Sequence, residues 1–185
     1  IVWEIRAPRT LGAMLVGALL GLGGAVAQGL FRNPLAEPYL LGSSSGAALG
    51  MALMLSFGMP DALISSTVGR MGLTGVAFVG AVSGVSLTLM LARGAAHTMR
   101  LLLGGVVVGV VLGALTQLLM VWSAPAWRIM QAFMLGHTAL LSWQACGVMA
   151  VVLCLTLPVA MGLSRALEAL SLGEVVASTL GIRLG

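Results

Sequence analysis

Charged residues are what this sequence has least of. Only 8% of its 185 residues are Asp, Glu, Lys or Arg, whereas 59% are hydrophobic. A soluble domain carries about 25% charged residues because its surface faces water. The nine basic residues here are all arginine. So little charge cannot coat a water-facing surface, and the composition therefore predicts a polytopic membrane protein.

Basic clusters and catalytic or metal-binding motifs are also missing. The net charge of +4 comes from single arginines at segment ends, which argues against nucleic-acid binding. Cys146 and Cys154 lie eight residues apart, a spacing that suits buried free thiols rather than a metal or redox site. No carboxylate pair, nucleophile with a base, or phosphate-binding Gly-Lys loop is recognisable. We therefore expect no enzymatic activity and no metal or cofactor bound by this chain.

Five apolar stretches are long enough to cross about 30 Å of hydrocarbon as helices rising about 1.5 Å per residue. None contains Asp, Glu or Arg, as the cost of a charge at mid-bilayer demands. Helices are expected because lipid leaves the backbone no other hydrogen-bond partners. The predicted fold is an all-α transmembrane bundle with helices at residues 11–30, 39–59, 71–92, 101–123 and 139–163. A shorter apolar stretch at 129–136 predicts one extra short helix that lies at or dips into one face of the membrane.

The connector "RNPLAEPYLLGSSSGAALG" interrupts the apolar sequence between the first two spans. Pro34 and Pro38 disfavour helix at the residues before them, so the first span should end near Arg32. Pro38 suits the first turn of the next helix. The result is a tight, polar hairpin tip. The three serines at 43–45 either bond to carbonyls one turn back or line a wet cavity, and the sequence leaves both open.

Glycines recur at helical spacing in four places. Such ridges let helices approach closely in lipid, which predicts a tight bundle rather than independent anchors. The ridges are Gly42/Gly46/Gly50, Gly105/Gly109/Gly113, Gly17/Gly21 and Gly80/Gly84.

The last 22 residues, "SRALEALSLGEVVASTLGIRLG", differ from the spans. Ser164 is predicted to cap a short helix that Gly173 ends, and a second short helix at 174–180 should end at Gly181. Two short amphipathic helices suit a membrane surface or a groove on a soluble partner, and we favour the partner. Residues 1–163 thus form the predicted bundle and 164–185 the predicted docking element.

Three segments resemble the FecCD-type permeases, which serve importers of iron-siderophores, haem and vitamin B12. They are "RAPRTLGAMLVGALLGLGGAVAQGLFRNPLAEPYLLGSSSGAALG", "RLLLGGVVVG" and "ALSLGEVVASTLG". The resemblance covers essentially the whole chain and corresponds to about the second to the sixth of the family's ten membrane helices. We therefore expect a piece of a longer permease.

The resemblance implies a type II ATP-binding-cassette (ABC) importer in the bacterial inner membrane. Two permease copies form its channel, two cytoplasmic ATPase subunits use the ATP, and an extracytoplasmic binding protein delivers a metal chelate. The Arg6 end would then face outwards, and the Asn33 hairpin and the tail would face the cytoplasm. The alternative of another class is a membrane scaffold whose tail recruits a soluble partner without forming a conduit.

Individual site residues follow from the same resemblance. Arg6 and Arg9 match the family's extracytoplasmic R-x-P-R, which pairs with acidic residues of the binding protein; the alternative is that they only mark a membrane boundary. Asn33 and Leu35 match a cytoplasmic gate. Thr98 and Met99 align with a second gate, although vitamin B12 permeases carry small hydroxyl residues there and Met99 departs from them.

The remaining candidates lie deeper or at the tail. Gln117 either lines the pathway or makes a packing hydrogen bond within the fourth span. His97 and His137 lie in connectors without a second ligand at useful spacing, so we do not assign them to cargo. The residues expected to contact the ATPase are Leu170, Leu172, Gly173, Glu174, Val176, Ala177, Leu180 and Gly181.

Overall fold

A computed structural model of the chain describes residues 2–57, 66–93, 98–122, 124–136 and 141–171. Within these ranges the chain is helical and has no strand, which confirms the all-α prediction. A π-helix, Val2–Arg6, precedes α1 (Ala7–Phe31), α2 (Ser43–Phe57), α3 (Thr67–Ala92), α4 (Thr98–Trp122), α5 (Ala124–Leu135) and α6 (Trp143–Ser171). The helices form two compact units: the π-helix, α1 and α6 in the first, and α2 to α5 in the second.

Four described helices are long and apolar enough to cross a membrane, namely Val2–Phe31, Met71–Ala92, Thr98–Trp122 and Trp143–Ala169. They overlap four of the five predicted spans. The second predicted span, 39–59, is instead a shorter apolar helix, because α2 has 15 described residues. At about 1.5 Å per residue it is roughly 22 Å long.

The end of α1 agrees with the sequence. Arg32 adopts a left-handed conformation (φ 50°), and the N–H groups of Arg32 and Asn33 both donate to the Gln28 carbonyl oxygen. These bonds satisfy one of the carbonyl groups that a helix end leaves without a partner. Pro34 follows directly, so the helix stops where the two prolines predict.

The start of α2 contradicts the placement of Pro38 in its first turn. Residues 39–42 form turns instead, with Gly42 at φ +77°, and the helix begins at Ser43. The buried hydroxyl of Thr88 on α3 donates to the Leu41 carbonyl oxygen over 2.9 Å. This bond explains how non-helical backbone is tolerated within an apolar unit, since a protein side chain satisfies the carbonyl.

Glycines hold the second unit together. A Cβ atom on Gly46 would collide with the Gly80 carbonyl oxygen, and the reverse is equally true. On Gly84 it would lie 2.6 Å from the Gly42 carbonyl oxygen, and on Gly105 it would collide with that of Leu40. The predicted ridges on α2 and α3 and the first glycine of the α4 ridge are therefore sites of close backbone packing.

Other predicted ridge positions are open. A Cβ added at Gly17, Gly21 or Gly113 would meet nothing within 4 Å among the described residues. At Gly109 it would lie 3.7 Å from the Ser45 hydroxyl oxygen. Ser45, one of the three serines with two possible roles, thus faces α4.

The short extra helix is confirmed, and it begins earlier than predicted. α5 runs over Ala124–Leu135 and ends before Gly136, whose φ is +68°. Met130 on α5 is 3% exposed and packs with Ala48 and Ala52 of α2 and Met120 of α4. This apolar cluster fixes α5 to the second unit.

The predicted capping role of Ser164 is wrong. α6 continues without a break to Ser171, and the Ser164 hydroxyl donates to the Met161 carbonyl oxygen inside the helix. Residues 165–171 are rich in Ala and Leu, which favour helix continuation, and a serine hydroxyl inside a helix can bond to its own backbone. The predicted helix end at Gly173 and the second short helix lie outside the described residues.

Candidate functional site

Arg6 and Arg9 are placed about one helical turn apart at the start of the first unit. Arg6 is the last residue of the π-helix, Arg9 lies in the first turn of α1, and both side chains are exposed. Between them Pro8 is fully buried. The Thr10 hydroxyl donates to the Arg6 carbonyl oxygen over 3.1 Å, which continues the helical path across the junction.

Two side chains of α6 hold this segment. The indole N–H of Trp143 donates to the Trp3 carbonyl oxygen over 3.1 Å, and the two indole rings lie 5.1 Å apart at 38°. The thiol of Cys146 donates to the Pro8 carbonyl oxygen over 3.2 Å. Opposite it, a Cβ on Gly12 would lie 3.4 Å from the Cys146 sulfur. We call Trp3, Pro8, Gly12, Trp143 and Cys146 the α1–α6 corner.

Sequence reasoning missed the α1–α6 corner. Cys146 is buried and free, as predicted, but its contact with Pro8 spans 138 residues and leaves no periodic signal. The prediction of a buried thiol is wrong for Cys154, which is free but exposed on α6. A thiol is apolar enough for a surface that faces lipid.

The hairpin tip after α1 is a closed turn. The Asn33 side-chain oxygen accepts the Leu35 N–H over 2.9 Å, and the Asn33 carbonyl oxygen accepts the Ala36 N–H over 3.0 Å. Phe31 and Ala36 on either side are buried, whereas Leu35 is 85% exposed. Such an Asx turn holds a short polar loop without help from neighbouring elements. Asn33 and Leu35 thus share one turn, with Leu35 presented outwards, and their gating role stays a prediction.

Thr98 and Met99 open α4 in the second unit. Thr98 is half-buried and Met99 is 72% exposed, while Leu101 nearby is fully buried. α3 ends at Arg93 in a left-handed conformation, with φ 56°. His97 lies between these helices, outside the described residues. Met99, like Leu35, is an apolar side chain that is mostly exposed, although the two residues belong to different units.

Gln117 is exposed on α4, next to buried Thr116. The Thr116 hydroxyl donates to the Leu112 carbonyl oxygen one turn back, so its own polar group is satisfied locally. Pathway lining by Gln117 stays a prediction.

The tail residues are mostly beyond the described part of the chain. Leu170 lies in the last turn of α6; the others, at 172–174, 176–177 and 180–181, fall outside, as does His137. Among the described residues no group of three or more His, Cys, Asp or Glu side chains could hold a metal ion.

The helices define the class of protein before any comparison: an α-helical bundle that crosses a membrane several times. The sequence profile of the FecCD transport family matches residues 1–185. The chain belongs to that family, and it is a multi-pass protein of the bacterial inner membrane.

Relatives and a solved structure agree with this assignment. The chain is 38% identical over 184 residues to the vitamin B12 import system permease protein BtuC of Escherichia coli O157:H7 strain EC4115, and equally to that of E. coli O1:K1. The match covers 99% of this chain and 54% of each relative. A solved structure, an inward-facing conformation of an ABC transporter assigned to the metal-chelate type, aligns with a TM-score of 0.86 at 30% identity.

This alignment covers 100% of this chain and 57% of the chain in the solved structure. The chain thus spans about half the length of the relatives that it matches, in agreement with the prediction that it corresponds to part of a longer permease. The prediction of a partial ABC importer permease fold is confirmed.

Proposed function

We propose that this chain is part of the permease subunit of an ABC importer that moves a metal chelate across the inner membrane. The observation that carries the proposal is the match of the whole chain, in sequence and in fold, to metal-chelate and vitamin B12 permeases. Vitamin B12 is the first cargo to test because the named relatives import it. Iron-siderophores and haem follow, because the sequence resemblance covers all three kinds of cargo.

The proposed partners are a second permease copy, two ATPase subunits and a binding protein. Support for the second copy is the exposed apolar surface of α4, where Val107, Val110 and Leu118 are each more than half exposed. Support for the binding protein is the exposed pair Arg6 and Arg9, since guanidinium groups suit carboxylate partners. The ATPase would bind the tail at 170–181 and supply the ATP hydrolysis.

The proposed gate is the hairpin tip. Leu35 is held outwards by a turn that is closed within the loop. The loop can therefore present this apolar side chain to a pore as a rigid unit. Met99 and Thr98 at the start of α4 would form the second gate, and Gln117 would line the pathway between gates and cargo.

The full-length protein tests the proposal directly. Co-expression with its ATPase should give a stable complex, and ATP hydrolysis should rise when the binding protein is added with its chelate. Complex formation without any stimulation by each tested chelate would instead favour the scaffold, which recruits a partner but conducts nothing.

Charge reversal tests the docking surface. Arg6→Glu combined with Arg9→Glu should slow association of the binding protein, most strongly at low salt, because exposed charges mainly steer the encounter. Arg165→Glu, an exposed arginine near the other end of α6, is the matched control. Association rates that stay unchanged at low ionic strength would contradict a docking role.

A further inference from the structure

The π-helix that leads to Arg6 is exposed along its whole length. None of its five residues, Val2–Arg6, is buried, and π-helical turns are rare and short in proteins. Something outside this segment must therefore hold it. Within the described residues, the Thr10 hydroxyl of α1 donates to the Arg6 carbonyl oxygen and the indole of Trp143 on α6 donates to that of Trp3. Cys146 on α6 donates to the carbonyl oxygen of Pro8, two residues beyond the π-helix.

The two contacts from α6 hold both ends of the segment that carries the arginines. Trp143 donates to the backbone at Trp3, three residues before Arg6, and its ring packs against the Trp3 ring at a tilt of 38°. Cys146, which is 2% exposed, donates to the backbone carbonyl oxygen of Pro8, next to Arg9. The backbone from Trp3 to Arg9 is thus tied to one face of α6, while the side chains of both arginines stay exposed.

We infer that Trp143 and Cys146 are positioning residues for a protein partner with an acidic surface, because they fix the backbone from which Arg6 and Arg9 project. The inference rests on the proposed docking of a binding protein, and it adds two residues that touch neither the partner nor the cargo. Loss of this positioning should have a different kinetic effect from loss of the two arginine charges. Steering acts over a distance of about 8–10 Å and depends on charge alone, whereas dissociation depends on short-range fit.

Substitutions of Trp143 test the first contact. Trp143→Phe keeps an aromatic ring and removes the N–H donor. In the full-length transporter in lipid nanodiscs, dissociation of the binding protein should be about fivefold faster, which corresponds to a lost interaction of about 1 kcal/mol. Association should stay within about twofold, because both arginines keep their charge. Trp122→Phe, at an exposed tryptophan that ends α4, is the matched control and should change neither rate.

Substitutions of Cys146 test the second contact by rescue. Cys146→Ala removes the donor to Pro8 and should also accelerate dissociation, whereas Cys146→Ser keeps a donor and should restore most of the wild-type rate. Cys154→Ala removes an exposed thiol two turns along the same helix and should have no effect. A loss of stability alone would lower the bound fraction for both Cys146 variants and would not restore the rate in one of them.

A spectroscopic readout needs no partner. With Cys154 replaced by Ser, a nitroxide attached through Glu4→Cys reports on the π-helix, and its mobility should rise when Trp143→Phe is added. An unchanged spectrum would show that Trp143 does not hold the segment and would overturn the inference.

The remaining outcomes separate the inference from the proposed function. Suppose the charge reversal of Arg6 and Arg9 slows association, but the binding protein leaves the Trp143→Phe and Cys146→Ala variants at the wild-type rate. The docking role then stands, and the positioning role of Trp143 and Cys146 is overturned. If the reversal changes neither rate, the docking role itself fails, and positioning for docking fails with it.

Discussion

At the residue scale, Asn33 and Leu35 have separate roles within one turn. Asn33 closes the loop through its side-chain oxygen, and Leu35 is the exposed residue that the closed loop presents. Because the two roles use different atoms, they can be separated by mutation. Pro34 between them has no N–H to donate, so the turn depends strongly on the bond from the Leu35 N–H to Asn33.

Leu35→Ala should make the reconstituted full-length permease leak its cargo several-fold faster in the absence of ATP. Asn33→Ala should do the same to a smaller extent, because the turn loses its side-chain bond and keeps only the backbone bond to Ala36, whereas Asn33→Asp keeps a side-chain acceptor and should stay near wild type. Passive efflux from vesicles loaded with labelled cargo measures this. Equal, wild-type leak in all three variants would reduce the hairpin to a connector.

The residue scale is also where the sequence predicted the least. Gate and docking residues could be proposed from the sequence because their motifs are local: R-x-P-R and Asn-Pro-Leu are each four residues or fewer, and the roles stay predictions. Cys146 and Thr88 act on backbone atoms 138 and 47 residues away, at Pro8 and Leu41. No spacing in the sequence encodes which distant carbonyl a buried hydroxyl or thiol will meet.

At the element scale, α2 and α3 pack against each other through backbone rather than through large side chains. Gly46 and Gly80 face each other so closely that neither position has room for a Cβ atom, and Gly50 would place one 2.7 Å from the Val76 carbonyl oxygen. In lipid, where apolar side chains gain little by meeting each other, this close approach supplies van der Waals contact between helices.

Gly80→Ala should therefore destabilise the full-length protein by about 1–3 kcal/mol, since the helices must move apart to admit the methyl group. Gly75→Ala on the same helix is the control, because a Cβ there meets no described residue within 4 Å. It should be neutral, or stabilising by up to about 1 kcal/mol through helix propensity. Thermal unfolding in detergent measures both, and a Tm lowered equally by the two changes would refute backbone packing at Gly80.

The length of each apolar stretch predicted where a helix lies. The helix ends depend instead on individual residues and hydrogen bonds, which the length of a stretch does not reveal. The first span ended at Arg32 as Pro34 predicts. The second began at Ser43 and not near Pro38, because Thr88 on another helix satisfies the Leu41 carbonyl and lets a turn persist there. Ser164 suited a cap by residue type, but helix-forming residues on both sides keep it inside α6.

The tail beyond α6 carries the coupling prediction. Gly173 is expected to end a helix with a positive φ, where a side chain costs roughly 1 kcal/mol or more. Gly173→Val should leave membrane insertion intact but separate ATP hydrolysis from uptake. Gly162→Val is the control, since Gly162 lies inside α6 and a Cβ there would meet nothing within 4 Å in the part of the chain that the structure describes. Normal chelate-stimulated hydrolysis and uptake in the Gly173 variant would end the coupling proposal.

At the scale of the whole molecule, the two units are held by different means. In the first, side-chain donors on α6 bond to the backbone at Trp3 and Pro8, and in the second α2 packs against α3 through glycines. Hydrogen bonds to the backbone suit a segment that presents the charges of Arg6 and Arg9 in fixed positions for docking. Glycine packing suits membrane helices that lie close together. Membership of the FecCD transport family connects both to one proposed activity, the import of a metal chelate.

Transport by the reconstituted system tests this central claim most directly. The full-length permease and its ATPase, in vesicles with ATP on the ATPase side, should move labelled vitamin B12, or failing that a ferric siderophore or haem, from the loaded binding protein across the membrane. Transport should require both ATP and the binding protein. If the complex assembles and hydrolyses ATP but transports none of these chelates, the chain is no part of a chelate importer, and the scaffold role replaces it.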